Sequence, residues 1–200
     1  VRKFRLKYKI VTASRSRNCR FSFKNYNLIP NIIKKVNPDI VLNLIANTSV
    51  EDCEKNKKKA TIANVKIIEK IVKGIKLTSQ KIKFIHISTD HLYSNKKNIP
   101  NKESDVNIVN NYARTKFEGE KIAQKHNSII IRTNFIGKQS VKKKISLTDW
   151  VYESIKKDKM MLGYNNIFFN PLNVSTLLKY LYIIIEKKNM KGIFNLGSRG

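Results

Sequence analysis

The chain has 200 residues, of which 41 are Lys or Arg and 14 are Asp or Glu, so its formal net charge is +27. Its hydrophobic share of 41% excludes a largely disordered chain, and its length suits one domain with a real core, or one and a half small ones. The charge suggests a nucleic-acid partner, but only 8 of the basic residues are Arg and the lysines are scattered along the chain. Lys, Asn and Ile, which have A/T-rich codons, supply 84 residues, so drift in base composition explains much of the excess and we expect no nucleic-acid partner.

The cysteines and the apolar runs indicate the cellular setting. Cys19 and Cys53 have no metal-ligand spacing, so we expect no metal and a reducing, cytoplasmic environment. The longest apolar run, YLYIIIE, is far shorter than the roughly 20 residues that span a bilayer, so we expect no membrane span. No signal peptide is visible, and the absence of an initiator Met suggests a trimmed chain or a fragment.

The first half of the chain alternates between strand-like and helix-like patterns. Residues 8–14 (YKIVTAS) are β-branched and predict a strand, whereas residues 28–36 (LIPNIIKKV) have apolar positions at helical spacing. Residues 39–46 (DIVLNLIA) form a continuous apolar run, which is typical of a strand buried on both faces. Residues 60–75 repeat their apolar positions every three to four residues and predict an amphipathic helix, and residues 81–88 (KIKFIHIS) predict another buried strand.

The second half continues the alternation. A helix around Tyr112 precedes a strand at residues 128–134, and two further helices and a short final strand are predicted at residues 146–157, 173–188 and 192–198. This order predicts an α/β fold, a Rossmann-like doubly wound parallel sheet with helices on both faces. The sequence pattern changes after Gly137, where a basic loop begins. We therefore place a soft domain boundary there, with a Rossmann-like domain at 1–137 and a small partial region at 138–200.

Three Tyr-x-x-x-Lys pairs occur in the chain, a number close to what chance predicts in so lysine-rich a sequence. The pairs are Tyr93/Lys97, Tyr112/Lys116 and Tyr152/Lys156. Only the second lies on the helix that follows a polar strand end, the Ser88-Thr89-Asp90 run after the 81–88 strand. Ligands collect at the carboxyl ends of parallel strands, so Tyr112, Lys116 and Thr89 are predicted to share one crevice. Ser, Thr and Asp also begin ordinary loops, so a plain turn is the alternative.

The chemistry available to such a trio is specific. A free phenol has a pKa of about 10 and is a poor acid-base catalyst at neutral pH. We expect the Lys116 ammonium, one helical turn away, to favour the phenolate and lower the pKa of Tyr112. The Thr89 hydroxyl would hold a carbonyl oxygen in reach of the phenol, which would protonate an alkoxide as a hydride arrives.

Several motifs in order resemble the extended short-chain dehydrogenase/reductases, and among them the dTDP-4-dehydrorhamnose reductases and their sugar-nucleotide relatives. NPDIVLNLIANTSVEDCE is similar to that family's buried strand and the turn after it, and HISTDHLYSN to its Ser-Thr-Asp-Tyr-Val-Phe-x-Gly segment. NNYARTKFEGEK resembles its Tyr-Gly-x-Ser/Thr-Lys-x-x-Gly-Glu helix, and IIIRTNFIGK its strand beside the nicotinamide. The resemblance covers most of the chain.

The resemblance implies roles for individual residues. Tyr112 would be the general acid, Lys116 its electrostatic partner and a ligand of the nicotinamide ribose, and Thr89 the group that positions the carbonyl. The cofactor would be NADP or NAD, bound by residues 1–137, with a partial substrate-binding region at 138–200. Beyond Tyr112 and Lys116, the implied cofactor-binding residues are Arg15, Leu44, Ile45, Ala46, Asn64, Ser88, Thr133, Asn134 and Phe135. For Thr133, Asn134 and Phe135, ordinary strand-end packing is the alternative.

Departures from the family pattern are also visible. The family opens with a strand and a Gly-x-x-Gly-x-x-Gly turn that holds the pyrophosphate, whereas no glycine precedes Gly74 here. The sheet is therefore expected to be N-terminally truncated, and the 200 residues to bind the cofactor weakly. CRFSF stands where relatives carry an adenine-binding Asp, while Arg15 and Arg17 could meet a 2′-phosphate and weakly favour NADP.

The resemblance leaves three functions open. The first is NAD(P)H-dependent reduction of a 4-keto sugar nucleotide in deoxysugar or surface polysaccharide biosynthesis. The dehydratase relatives place Glu after the Thr-Asp pair, whereas His91 follows Asp90 here and favours simple carbonyl reduction. A 4-epimerase uses the same trio, and a non-catalytic binding or regulatory member is the third option. Expected partners are a sugar-nucleotide substrate and, as one option, a second copy of the chain in a homodimer.

Overall fold

A computed structural model of the chain describes residues 7–14, 19–22, 24–94, 100–137, 147–163, 165 and 170–198. The strands are β1 (Ala13–Ser14), β2 (Phe21–Ser22), β3 (Ile40–Asn43), β4 (Lys83–Ile87), β5 (Ile129–Thr133), β6 (Phe135–Ile136), β7 (Leu172–Asn173) and β8 (Gly192–Leu196). The helices are α1 (Ile29–Val36), α2 (Val50–Lys55), α3 (Lys57–Thr61), α4 (Ile67–Lys76), α5 (Asn111–Gln124), α6 (Leu147–Lys156) and α7 (Val174–Glu186). A 3-10 turn at Tyr26–Leu28 leads into α1, and a π-helical turn at Ile62–Lys66 joins α3 to α4.

The central sheet is parallel throughout, in the order β3-β4-β5-β8. β1 pairs with β2, and β6 with β7, in two small parallel sheets. The predicted strands and helices are therefore present, and the Rossmann-like α/β prediction is confirmed. The strand predicted at residues 8–14 is shorter than expected, since only Ala13–Ser14 pairs.

Two apolar clusters cover the two faces of the sheet. Phe84 and Ile130 pack against α1, α4 and the end of α5 on one face, and the intervening side chains Ile85 and Ile131 pack against α7 on the other. This alternation follows from the period of two along a strand. One expectation is wrong, because β3 is an edge strand of the described sheet and residues 40–42 are only half-buried.

The soft boundary at residue 138 stays a prediction. Residues on its far side complete the central sheet, because β8 pairs with β5 over five residues, from Gly192 beside Ile129 to Leu196 beside Thr133. Helix α7 covers one face of the same sheet through Leu177 and Leu181. Within the described residues, no helix is long and apolar enough to cross a membrane.

Candidate active site at the carboxyl edge of the sheet

The carboxyl ends of β3, β4 and β5 bring three chain segments to one edge of the sheet. Residues 44–47 follow β3, residues 88–90 follow β4, and Asn134 follows β5. Parallel strands end on the same side, and that edge is where ligands bind in folds of this kind. The start of helix α5 completes the crevice.

Polar contacts fix the start of helix α5. Asn110 caps the helix, its side chain accepting a hydrogen bond from the Ala113 amide at 2.8 Å. The Asn111 side-chain amide donates to the Cys53 carbonyl oxygen at 2.6 Å. These contacts determine where Tyr112 and Lys116, on successive turns of one face, are presented.

Tyr112, Lys116 and Thr89 are all buried, with 6%, 2% and 4% of their surfaces exposed. Lys116 Nζ donates to the Ile87 carbonyl oxygen at 2.8 Å, which places the amine beside the end of β4. The Thr89 hydroxyl interacts with the Tyr112 phenol and acts to lower its pKa. The structure therefore brings the predicted trio together, while the catalytic roles of its members stay predictions.

The electrostatics of the trio differ from the expectation. The pKa of Tyr112 is raised to about 12, chiefly by burial; the Thr89 hydroxyl acts to lower this pKa, and the nearby Asp90 and Cys53 act to raise it. Burial also lowers the pKa of Lys116 to about 8. The expected lowering of the phenol's pKa by the lysine is therefore wrong for this structure, because desolvation favours the neutral form of both groups.

A histidine that sequence reasoning missed lies on the same side of the sheet as Lys116. His86 is fully buried, and burial, followed by the nearby charge of Lys116, lowers its pKa well below the ordinary value. Asn43 Oδ1 accepts from the Ile45 amide, so its Nδ2 is the donor to His86 Nδ1 at 3.0 Å. The imidazole is therefore neutral, with its proton on Nε2, and adds no second positive charge beside the lysine.

Asn64 connects the segment after β3 to helix α5. It lies in the π-helical turn, where its Oδ1 accepts from the Asn47 amide at 2.8 Å. Its Nδ2 donates to the Asn47 carbonyl oxygen at 3.1 Å and to Thr115 Oγ1 at 3.0 Å. The Asn64 side chain is thus engaged within the protein, and π-helical turns of this kind are common at functional sites.

The other predicted cofactor-binding residues occupy the same edge, except Arg15, which with Arg17 lies outside the described residues. Leu44, directly after β3, and Phe135, shortly after β5, are exposed, at 64% and 48%. Ile45, Ala46 and Asn134 are half-buried, and Ser88 and Thr133 are buried. The Ser88 hydroxyl oxygen is buried without a hydrogen-bond partner among the described residues.

Asp90 and His91 also border Tyr112. Burial raises the pKa of the Asp90 carboxyl, and its Oδ1 atom has no hydrogen-bond partner within the described part of the chain. The His91 ring meets the Tyr112 ring edge to face, with centroids 5.5 Å apart. Their position directly after Thr89 was a signal in the sequence, but the ring contact depends on the folded loop.

The fold and the trio define a class: a Rossmann-like chain of the short-chain dehydrogenase/reductase type. The chain matches the family described as the RmlD substrate binding domain over residues 4–200, and it belongs to that family. It is 31% identical over 117 residues to a dTDP-4-dehydrorhamnose reductase of Shigella flexneri, an alignment covering 57% of this chain and 38% of that protein. Across 189 residues it is 24% identical to the enzyme of that name from Escherichia coli K12, covering 89% of this chain and 60% of that protein. The chain thus spans between about two fifths and three fifths of these relatives.

Solved structures support the fold. A hypothetical dTDP-4-dehydrorhamnose reductase from Sulfolobus tokodaii superposes with a TM-score of 0.85 at 24% identity, covering 99% of this chain and 71% of that one. A dTDP-4-dehydrorhamnose reductase from Yersinia enterocolitica gives 0.75 at 21% identity, covering 99% and 70%.

Proposed function

We propose that the complete protein reduces the 4-keto group of a sugar nucleotide with NADPH or NADH. The observation that carries the proposal is the burial of Thr89, Tyr112 and Lys116 together at the carboxyl edge of the sheet. The family membership and the names of the relatives support the same reaction. The substrate we propose is dTDP-4-dehydrorhamnose or a close analogue.

The side chains divide the work of reduction. Tyr112, with a pKa of about 12, remains protonated at neutral pH and donates its proton to the oxygen of the ketone. Thr89 holds that oxygen next to the phenol by a hydrogen bond. Lys116 Nζ, already anchored by one hydrogen bond to Ile87, retains donors for ribose hydroxyls. The nicotinamide, when bound, supplies the hydride.

The nicotinamide end of the cofactor fits the residues present. The unpartnered Ser88 hydroxyl offers a polar contact, and exposed Leu44 and Phe135 offer apolar surface to a planar ring. The pyrophosphate end does not find its glycine-rich turn within these 200 residues, since their first glycine is Gly74. We therefore assign the nicotinamide and its ribose to this edge.

Two further features of the proposal concern setting and assembly. We place the reaction in the cytoplasm, in biosynthesis of a deoxysugar for a surface polysaccharide. A relative from Bacillus subtilis, 31% identical over 131 residues, is named a spore coat polysaccharide biosynthesis protein. We propose a homodimer and no nucleic-acid partner; saturable DNA binding at physiological salt would contradict the second point.

The test is stoichiometric turnover by the complete protein. With dTDP-4-dehydrorhamnose and NADPH, we expect one NADPH to be oxidised per sugar reduced, measured by absorbance and by product analysis. An epimerase would interconvert sugar nucleotides without net oxidation of added cofactor. A protein that binds the cofactor without either reaction would support the non-catalytic alternative.

A separate test concerns the glycine-rich turn. We expect weak NADPH binding by the 200 residues alone and binding at least about tenfold tighter by a chain extended upstream through such a turn, a gain of 1.4 kcal/mol or more. Fluorescence titration of NADPH with both chains measures the difference. Equal affinities would contradict the assignment of the pyrophosphate to upstream residues.

A further inference from the structure

A buried ion pair joins the catalytic helix to the sheet. Glu120 on α5 and Arg132 on β5 each expose 1% of their side chains. Arg132 Nε lies 3.0 and 3.2 Å from the two carboxylate oxygens of Glu120, and its Nη2 lies 2.7 Å from Oε2. Desolvation of two charges offsets much of their attraction, so a pair of this kind is weak evidence of a stabilising role. Its geometry calls for another explanation.

Glu120 lies on the same face of helix α5 as Tyr112 and Lys116. Tyr112, Lys116 and Glu120 follow one another at four-residue intervals, and all three are buried. The other buried residues of the helix are small or polar, among them Ala113, Thr115 and Gly119. The buried residues of this helix include no large aliphatic side chain, so directional hydrogen bonds contribute to the position of the helix beside close packing.

The free side of the guanidinium reaches the segment that carries Thr89. Arg132 Nη1 donates to the Tyr93 hydroxyl at 2.8 Å and to the Glu103 carbonyl oxygen at 2.7 Å. The Tyr93 hydroxyl in turn donates to Asn195 Oδ1 on β8. Tyr93 is only four residues beyond Thr89, so the loop that begins at Thr89 is attached to the ion pair of the catalytic helix.

These contacts close a ring. The ring runs from Thr89 along the chain to Tyr93, through Arg132 to Glu120, and back along helix α5 to Tyr112, which meets Thr89. Resting on the proposed function, we propose that Arg132, held by Glu120 and linked to Tyr93, is a positioning residue that sets the placement of Tyr112 against Thr89. Tyr93 stands where the reductase pattern has Phe, so the hydroxyl link is a departure of this chain from that pattern.

A purely structural role predicts a different result from a positioning role. Loss of stability alone would reduce the amount of folded enzyme and leave kcat per folded molecule unchanged. Misplacement of Tyr112 relative to Thr89 would lower kcat per folded molecule, whereas KM for NADPH, to which Lys116 contributes from the same helix, would change by a smaller factor.

The first experiment removes the hydroxyl link in the complete protein. We expect Tyr93→Phe to lower kcat by about tenfold, the effect of roughly one hydrogen bond, with KM for NADPH within about twofold. Hydrogen exchange of the first turns of α5 should accelerate by a similar factor. Tyr152→Phe, a loss of one hydroxyl from a side chain that is 65% exposed, is the matched control and should change neither quantity.

The second experiment removes the ion pair without leaving a buried charge. The double variant Glu120→Leu/Arg132→Met is expected to fold, since apolar replacement of both partners is often neutral or stabilising, and to lower kcat by about a hundredfold. Wild-type kcat and wild-type exchange in α5 for both variants would overturn the inference. Absence of wild-type turnover would instead refute the proposed function, and the exchange rates would still decide the positioning role.

Discussion

Two Tyr-x-x-x-Lys pairs of this chain lie on helices and differ in their surroundings. Tyr112 and Lys116 on α5 are buried and meet the end of β4. On α6, by contrast, Tyr152 is 65% exposed and Lys156 is also exposed, and Ser154 is the helix's only residue described as buried. The spacing is identical, so spacing alone carries no chemistry. What distinguishes the first pair is the strand end against which its helix packs.

The largest expected difference between the two pairs is in turnover. In the complete protein, Tyr112→Phe should lower kcat by about 10²–10⁴-fold, because it removes the proton donor and retains the ring that packs against His91. Tyr152→Phe should leave kcat unchanged. Steady-state NADPH oxidation measures both. Full activity of the Tyr112→Phe variant would show that Tyr112 is not the proton donor and would contradict the proposed mechanism.

The sequence revealed the strands and the trio because each rests on local signals. Apolar runs such as residues 81–88 identify buried strands, and the polar run Ser88-Thr89-Asp90 identifies the strand end beside the crossover helix. Contacts between distant residues left no such signal. The Asn43–His86 bond joins residues 43 positions apart and depends on the register of β3 and β4.

The direction of the pKa shift of Tyr112 could not be predicted from the sequence either. A lysine one turn from a tyrosine suggested a lowered phenol pKa, but burial depends on the elements that cover the helix. Tyr112 packs with Cys53 and Ala60, which lie on or beside α2 and α3, far away in the chain. Desolvation of the phenol is the largest cause of its raised pKa, and the group that acts to lower this pKa is the Thr89 hydroxyl.

A smaller difference is expected in the stability of the folded protein when Lys116 or Lys156 is replaced. The pKa of Lys116 is about 8 in the folded protein, below its ordinary 10.5, so the unfolded chain takes up a proton first as the pH falls. The contribution of Lys116 to stability is therefore lost as the pH falls from about 10.5 to about 8 and remains lost at neutral pH. Below about pH 8 the folded protein must either keep Lys116 neutral or bury its charge, which costs stability, and replacing this lysine removes that cost.

Lys116→Met should accordingly raise the free energy of unfolding at pH 7 by up to about 3 kcal/mol, while abolishing most activity. The gain should shrink to below about 1 kcal/mol at pH 10, because the folded lysine is neutral there and the pH lies only half a unit below the unfolded pKa of 10.5. Lys156→Met, on the exposed helix, should stay within about 0.5 kcal/mol at both values. Urea unfolding at the two pH values gives the comparison; an equal gain at pH 7 and pH 10 would contradict the assigned pKa.

The smallest expected effect is on the free energy of unfolding when Gly119 on α5 or Gly163 beyond α6 is replaced by Ala. A Cβ at Gly119 on α5 would overlap the Asn64 carbonyl oxygen and reach Ile68 Cδ1. At Gly163, beyond α6, a Cβ would have no atom of the described residues within 4 Å. Helix α5 approaches the π-helical turn so closely that only glycine fits without a backbone shift. Gly119→Ala should therefore cost about 1–3 kcal/mol, despite the better helix propensity of Ala. Gly163→Ala should be neutral or slightly stabilising, and thermal unfolding of both variants measures the contrast. If Gly119→Ala were neutral as well, the close contact between α5 and Asn64 would not be required to hold Tyr112 and Lys116 in the crevice.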